Sequence, residues 1–120
     1  MANILIIDDE RPVRSLLRAV LELENHHVFE ASNGRVGLEL YRERSFDLII
    51  TDLTMPEMDG LELISELTRS FLSVKVIAMT GGSESEGRLD TAKLLDARST
   101  LQKPFPMDTL LSLVKYELER

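Results

Sequence analysis

The sequence predicts an α/β fold in which a five-stranded parallel sheet is doubly wound, with helices on both faces. Two observations carry that expectation. Short apolar runs alternate five times with longer segments whose apolar residues recur at helical spacing, and strands alternating with helices form parallel sheets. The first run, Ile4-Leu5-Ile6-Ile7, is β-branched and nearly continuous, as a strand buried on both faces is. Right-handed crossovers then make the doubly wound arrangement the natural topology.

Each element has its own signal. After the first strand, Pro12 stands where a first-turn proline is welcome, and Val13, Leu16, Leu17, Val20, Leu21 and Leu23 follow at helical spacing. His27-Val28-Phe29-Glu30-Ala31 reads as a second strand, polar enough to lie near an edge. Ser32 or Asn33 caps the next helix, which carries Val36, Leu38, Leu40 and Tyr41. Phe46 to Ile50 makes a third strand ending at Thr51-Asp52, and Asp59 is a ready N-cap for a helix through Leu61, Leu63, Ile64 and Leu67. The fourth strand runs from Val74 to Met79 and stops at Gly81-Gly82. Residues 85–95 form a poorer helix, containing Gly87 and few apolar residues. Thr100-Leu101-Gln102 is a short fifth strand, and residues 107–118 close the chain as an amphipathic helix.

No repeat, low-complexity tract or linker-like stretch divides the 120 residues, so one domain spanning 1–120 is expected. Its 43% hydrophobic and 29% charged residues are an ordinary globular balance. The absence of cysteine excludes disulfides, thiolate metal sites and cysteine nucleophiles. Ile4 to Ile7 is too short for a secretory core or a membrane span, Asp8-Asp9-Glu10 ends it, and Ala2 excludes N-myristoylation. A cytoplasmic location is therefore expected. A net charge of −7 argues against nucleic-acid binding, which needs a basic surface. Protein partners and cations such as Mg²⁺ suit it better.

In doubly wound sheets, ligands bind outside the carboxyl ends of the strands. Those positions hold Asp8 and Asp9, then Asp52, Thr80 and Lys103. Three carboxylates crowded together repel one another unless a cation lies between them, and a hard oxygen-ligated site points to Mg²⁺. With Mg²⁺ and Lys103 the three carboxylates form a neutral cluster. Esterifying Asp52 with phosphate shifts the total to about −1, a small change. Phosphoryl transfer depends mainly on positioning and on neutralising the phosphoryl oxygens. A carboxylate nucleophile, an ammonium and a hydroxyl supply what it needs.

With these residues placed, the chain resembles the response-regulator receiver domain of two-component signalling over essentially its whole length. Asp8-Asp9 resemble the family's acidic pair, and Asp52 within Thr51-Asp52-Leu53-Thr54-Met55-Pro56-Glu57-Met58-Asp59-Gly60 its phospho-acceptor. Thr80 matches the switch hydroxyl and Lys103-Pro104-Phe105 the lysine-proline motif. The resemblance implies a flavodoxin-like fold with strand order 2-1-3-4-5 and a cis peptide at Lys103-Pro104. It implies that Asp52 takes a phosphoryl group from the phosphohistidine of a sensor histidine kinase or phosphotransfer protein. The receiver would catalyse its own phosphorylation and dephosphorylation, as a switch rather than an enzyme. Mg²⁺ would be held by Asp9, Asp52 and the backbone carbonyl of Thr54, with Asp8 reaching it through water. A downstream effector or output domain would read the switch, and the domain would be a monomer or weak dimer, binding neither nucleic acid nor membrane.

Two positions depart from the family pattern. Thr100 stands where an aromatic residue commonly couples phosphorylation to a binding face, and Asp96 where a glycine is usual. Signalling is therefore expected to reorder residues 81–96 instead. Two other functions compete. A haloacid-dehalogenase-like phosphohydrolase would need a second aspartate where Thr54 stands, and a pseudo-receiver would never be phosphorylated. A P-loop nucleotidase is excluded, since no GxxxxGK[ST] loop occurs. Of the other candidates, Asp59 is read as a helix cap, Pro56 and Gly60 as loop-shaping, and His26 and His27 as surface residues.

Overall fold

The computed structural model describes residues 1–55, 57–71, 73–81 and 99–120. Five strands, β1 (Asn3–Ile7), β2 (His27–Ala31), β3 (Leu48–Asp52), β4 (Val76–Thr80) and β5 (Ser99–Gln102), form one sheet in the order β2-β1-β3-β4-β5. All four pairings are parallel. The described helices are α1 (Arg11–Leu23), α2 (Gly34–Glu43), α3 (Gly60–Ser70) and α4 (Met107–Glu119). This is the flavodoxin-like order that the resemblance implied. The helix expected over residues 85–95 lies outside the described residues.

Alternation along the strands sorts the apolar side chains into two cores. Leu5, Ile7, Ile49, Val76 and Ala78 pack with Leu38 of α2 and with Leu63, Ile64 and Leu67 of α3. Ile4, Ile6, Leu48, Ile50, Ile77, Met79 and Leu101 pack with Leu17 and Leu21 of α1 and with Leu110 and Val114 of α4. Both faces of the sheet are thus covered, which is why its central strands contain no solvent-facing set. β3 and β4 are buried at every position, whereas the edge strands β2 and β5 mix buried and partly exposed residues.

The helix starts follow local chemistry. Asn33 and Asp59 each accept a hydrogen bond from a backbone N–H three residues on, at 2.9 Å, and so cap α2 and α3. No side chain caps α1; Pro12 at its start has no N–H to satisfy. Two sequence expectations need correction. β3 and β4 each begin two residues later than the apolar runs suggest, and they carry Asp52 and Thr80 as their last residues rather than just beyond them. On α1, Leu16 and Leu23 stand 52% and 81% exposed, because helical spacing alone cannot tell the centre of an apolar stripe from its margin.

Candidate functional site

The carboxyl ends of β1, β3, β4 and β5 bring Asp8, Asp52, Thr80 and Lys103 to one edge of the sheet. The register explains the convergence. Ile7 pairs with Thr51, Asp52 with Met79, and Thr80 with Gln102, so each strand hands its next residue to the same rim. The backbone continues these pairings past the strands: the N–H of Leu53 donates to the Met79 carbonyl at 2.9 Å, and that of Lys103 to the Thr80 carbonyl at 2.6 Å.

Lys103 joins the site together. Its Nζ lies 3.0 Å from Asp8 Oδ2 and 3.5 Å from Asp52 Oδ2, with Glu10 Oε1 at 4.0 Å. The Lys103 ammonium thus lies between Asp8 and Asp52. Burial, the largest influence on Lys103, pulls its pKa down, but Asp8, Asp52 and Glu10 together outweigh it and hold the ammonium above its ordinary value. The peptide before Pro104 is cis, as the resemblance implied.

Asp8 is fully buried and every polar group it carries is held. Its N–H donates to the Ala31 carbonyl at 3.1 Å. Oδ1 accepts from the Glu10 N–H at 2.9 Å, Oδ2 from Lys103, and the carbonyl oxygen from Arg14 Nη1 at 2.7 Å. Asp9, the next residue, is exposed. Carboxylate oxygens of Asp8, Asp9 and Glu10 lie within 4.8 Å of one another. Among the described residues the acidic trio at this spacing thus includes Glu10, which sequence reasoning used only to end the apolar run, rather than Asp52.

Asp52 is 6% exposed. Its carboxyl is held above the usual carboxylate range, chiefly by burial, with the charge of Asp8 adding to the effect. Lys103 and the backbone N–H groups of Thr54 and Leu53 oppose it without cancelling it. The Thr54 N–H reaches Asp52 Oδ1 at 3.4 Å, so the Thr54 backbone borders the carboxylate. Thr80 Oγ1 is buried and has no hydrogen-bond partner among the described residues, a costly state for a hydroxyl.

Gly60 does more than shape a loop. A Cβ there would lie 2.2 Å from the Asp52 carbonyl oxygen and 2.6 Å from Leu53 Cα, so only glycine lets α3 start this close to the Asp52 backbone. Its N–H donates to the Leu53 carbonyl at 2.9 Å. Arg14 also escaped sequence reasoning, because nothing along the chain shows that its guanidinium reaches back to Asp8. His26 is not a plain surface residue: its Nδ1 accepts from the Ala2 N–H at 3.2 Å, and burial lowers its pKa. His27 is exposed. Thr100 sits partly buried in β5 opposite Ala78, while Asp96 and nearly all of residues 81–96 fall outside the described residues.

The donors present suit a hard divalent cation. Asp8, Asp9 and Glu10 offer carboxylate oxygens at close spacing, Asp52 shares Lys103 with Asp8 and Glu10, and Mg²⁺ is bound by carboxylate and water oxygens.

Comparison with known proteins agrees with this geometry. The family model for the response regulator receiver domain matches residues 4–115. Sporulation initiation phosphotransferase F of Bacillus subtilis is 33% identical over 113 residues, covering 94% of this chain and 90% of its own length. The KDP operon transcriptional regulatory protein KdpE of Escherichia coli is 38% identical over all of this chain, which spans only 52% of KdpE. Among solved structures, the response regulator TrrA of Thermotoga maritima in complex with Mg²⁺-BeF superimposes with a TM-score of 0.88 at 32% identity, covering 98% of this chain and 99% of TrrA. The chain belongs to the response regulator receiver domain family of two-component signalling.

Proposed function

We propose that residues 1–120 form one receiver domain in which Asp52 accepts a phosphoryl group from the phosphohistidine of a sensor histidine kinase or phosphotransfer protein. The observation that carries this is the placement of Lys103 Nζ between Asp8 and Asp52, with the Thr80 hydroxyl, which has no partner among the described residues, at the end of the neighbouring strand. Asp52 supplies the nucleophilic oxygen, which bonds to phosphorus as the phosphorus–nitrogen bond to the donor imidazole breaks. Lys103 pairs with the incoming phosphoryl oxygens, and Thr80 donates its hydrogen bond to one of them. Lys103 is held in place beforehand by Asp8 and Asp52, so it stabilises charge with little reorganisation.

Asp9, Asp52 and the Thr54 carbonyl would hold Mg²⁺, with Asp8 through water and Glu10 at the rim. That the relative TrrA was solved with Mg²⁺-BeF supports the assignment. Bound there, Mg²⁺ neutralises charge on the phosphoryl oxygens. The same groups serve phosphorylation and its reversal by water, so the domain catalyses its own switching without turning over a separate substrate.

No described helix is long and apolar enough to cross a membrane, which is consistent with a cytoplasmic domain. A downstream protein or output domain would read the switch. The test is intact mass after incubation with acetyl phosphate and Mg²⁺. One added phosphoryl group per chain is expected, and none in Asp52→Ala. Labelling that persists in Asp52→Ala refutes the assignment, and continuous release of many equivalents of phosphate would indicate a hydrolase instead.

A further inference from the structure

The guanidinium of Arg14 lies behind the acidic pair and bridges two elements. Its Nη1 donates to the Asp8 carbonyl at 2.7 Å, and its Nε to Glu30 Oε1 of β2 at 3.0 Å. Glu30 Oε2 in turn accepts from Arg18 Nη1 at 2.8 Å, and Arg18 Nε pairs with Glu22 at 3.1 Å. Glu30 is held below the usual carboxylate range, first by its hydrogen bond from Arg18, and it stays ionised. Arg14 is only 15% exposed in its side chain, unlike the outer Arg18 at 43%.

The acceptor of the Arg14 bond matters. The carbonyl of Asp8 and the N–H of Asp9 belong to one planar peptide unit, so fixing the first fixes the second. Asp8 is already held through its N–H and both carboxylate oxygens. Asp9 has no such side-chain anchor among the described residues, and its direction depends on that peptide plane. A bare guanidinium at this place would oppose a cation at the acidic pair. Glu30 cancels its charge, which leaves Arg14 a geometric effect.

We propose that Arg14 is a positioning residue for Mg²⁺. Clamped by Glu30, it locks the Asp8–Asp9 peptide plane and thereby aims the Asp9 carboxylate at the metal. This rests on the reading of Asp8 and Asp9 as the metal's acidic pair. Ligands oriented by an outer hydrogen-bonded residue typically lose 10–100-fold in metal affinity when that residue is changed.

The experiment measures Mg²⁺ affinity of the full chain by titration calorimetry and follows the Asp9 and Glu10 amide resonances. Arg14→Gln should bind Mg²⁺ about 10-fold more weakly, with those two amides shifted. Arg69→Gln removes an equal charge from an exposed pair with Glu66 on α3 and should bind as wild type does. A folded Arg14→Gln within about twofold of wild type overturns the proposal, given the 10–100-fold loss that positioning predicts. Should Arg14→Gln fail to fold, Arg14→Lys decides: one ammonium cannot hold Asp8 and Glu30 in a fixed fork, and undiminished affinity there also overturns it. Asp9→Asn separates the two readings. If wild type binds Mg²⁺ and Asp9→Asn does not, an unaffected Arg14 variant refutes Arg14 alone; if Asp9→Asn also binds normally, the acidic-pair reading falls and takes this proposal with it.

Discussion

The two ends of the sheet treat their polar groups differently. At the amino end, side chains settle backbone groups. Asp47 Oδ2 accepts the Asn3 N–H at 2.8 Å, His26 accepts the Ala2 N–H, and Lys75 Nζ donates to the carbonyls of Glu117 at 2.7 Å and Arg120 at 3.0 Å. At the carboxyl end, Asp8, Glu10 and Asp52 share one lysine, and the Thr80 hydroxyl has no described partner. Glu117 blurs the contrast slightly. It is fully buried with Ser99 Oγ at 2.5 Å and Arg120 at 3.5 Å on one oxygen, and its other oxygen has no described partner. The difference teaches that the amino end uses its side chains to settle backbone groups, whereas the carboxyl end gathers carboxylates around one ammonium and leaves the Thr80 hydroxyl without a described partner, at some cost in stability.

The sharpest way to break that comparison is at Gly60. Gly60→Ala drives a Cβ into the Asp52 and Leu53 backbone and should destabilise by about 3 kcal/mol, the upper end of over-packing costs. Urea unfolding measures it, and a loss under half of that would mean the site end is less tightly built than its distances indicate.

A smaller effect of opposite sign is expected at Asp52. A carboxyl whose folded pKa lies above its unfolded value binds its proton more readily when folded. Stability therefore falls as pH rises from the unfolded toward the folded value, and that loss persists above it. Asp52→Asn removes this ionisation, so in Mg²⁺-free buffer at neutral pH its melting temperature should rise above that of wild type. The gap should close as pH drops below the usual carboxylate range. A lower melting temperature at neutral pH would show that Lys103 fully compensates Asp52 after all.

The smallest change tests the amino end. Asp47→Ala forfeits the bond to the Asn3 N–H and should cost about 1 kcal/mol, an ordinary net hydrogen bond. Labelling by acetyl phosphate should stay at one group per chain. Reduced labelling would mean the two ends are coupled.

Most of this was readable along the chain, for physical reasons. Ile4 to Ile7 announces a central strand because both faces of the sheet are covered, and Asn33 and Asp59 announce helix starts because their side chains are short acceptors. The strand-end rule then placed Asp8, Asp52, Thr80 and Lys103 at one rim. What could not be read was contact across the chain. Arg14 looks like any helix arginine until α1 lies beside β2, and Glu10 looks like a strand terminator until the β1–α1 turn folds it beside Asp8. The strand limits failed by two residues at Phe46 and Val74, because apolar residues just before a strand are buried too.

The pair formed by Lys103 and Asp8 joins residues 95 positions apart, and Asp52 and Thr80 enter the same cluster from β3 and β4. Local pieces of the chain hold no part of the site that works by itself. During synthesis the ammonium emerges long after the aspartates, and closing so wide a loop must await the sheet between. A nascent or partly unfolded copy therefore presents acidic residues but no cradle for a phosphoryl group, which makes competence to signal a report on completed folding.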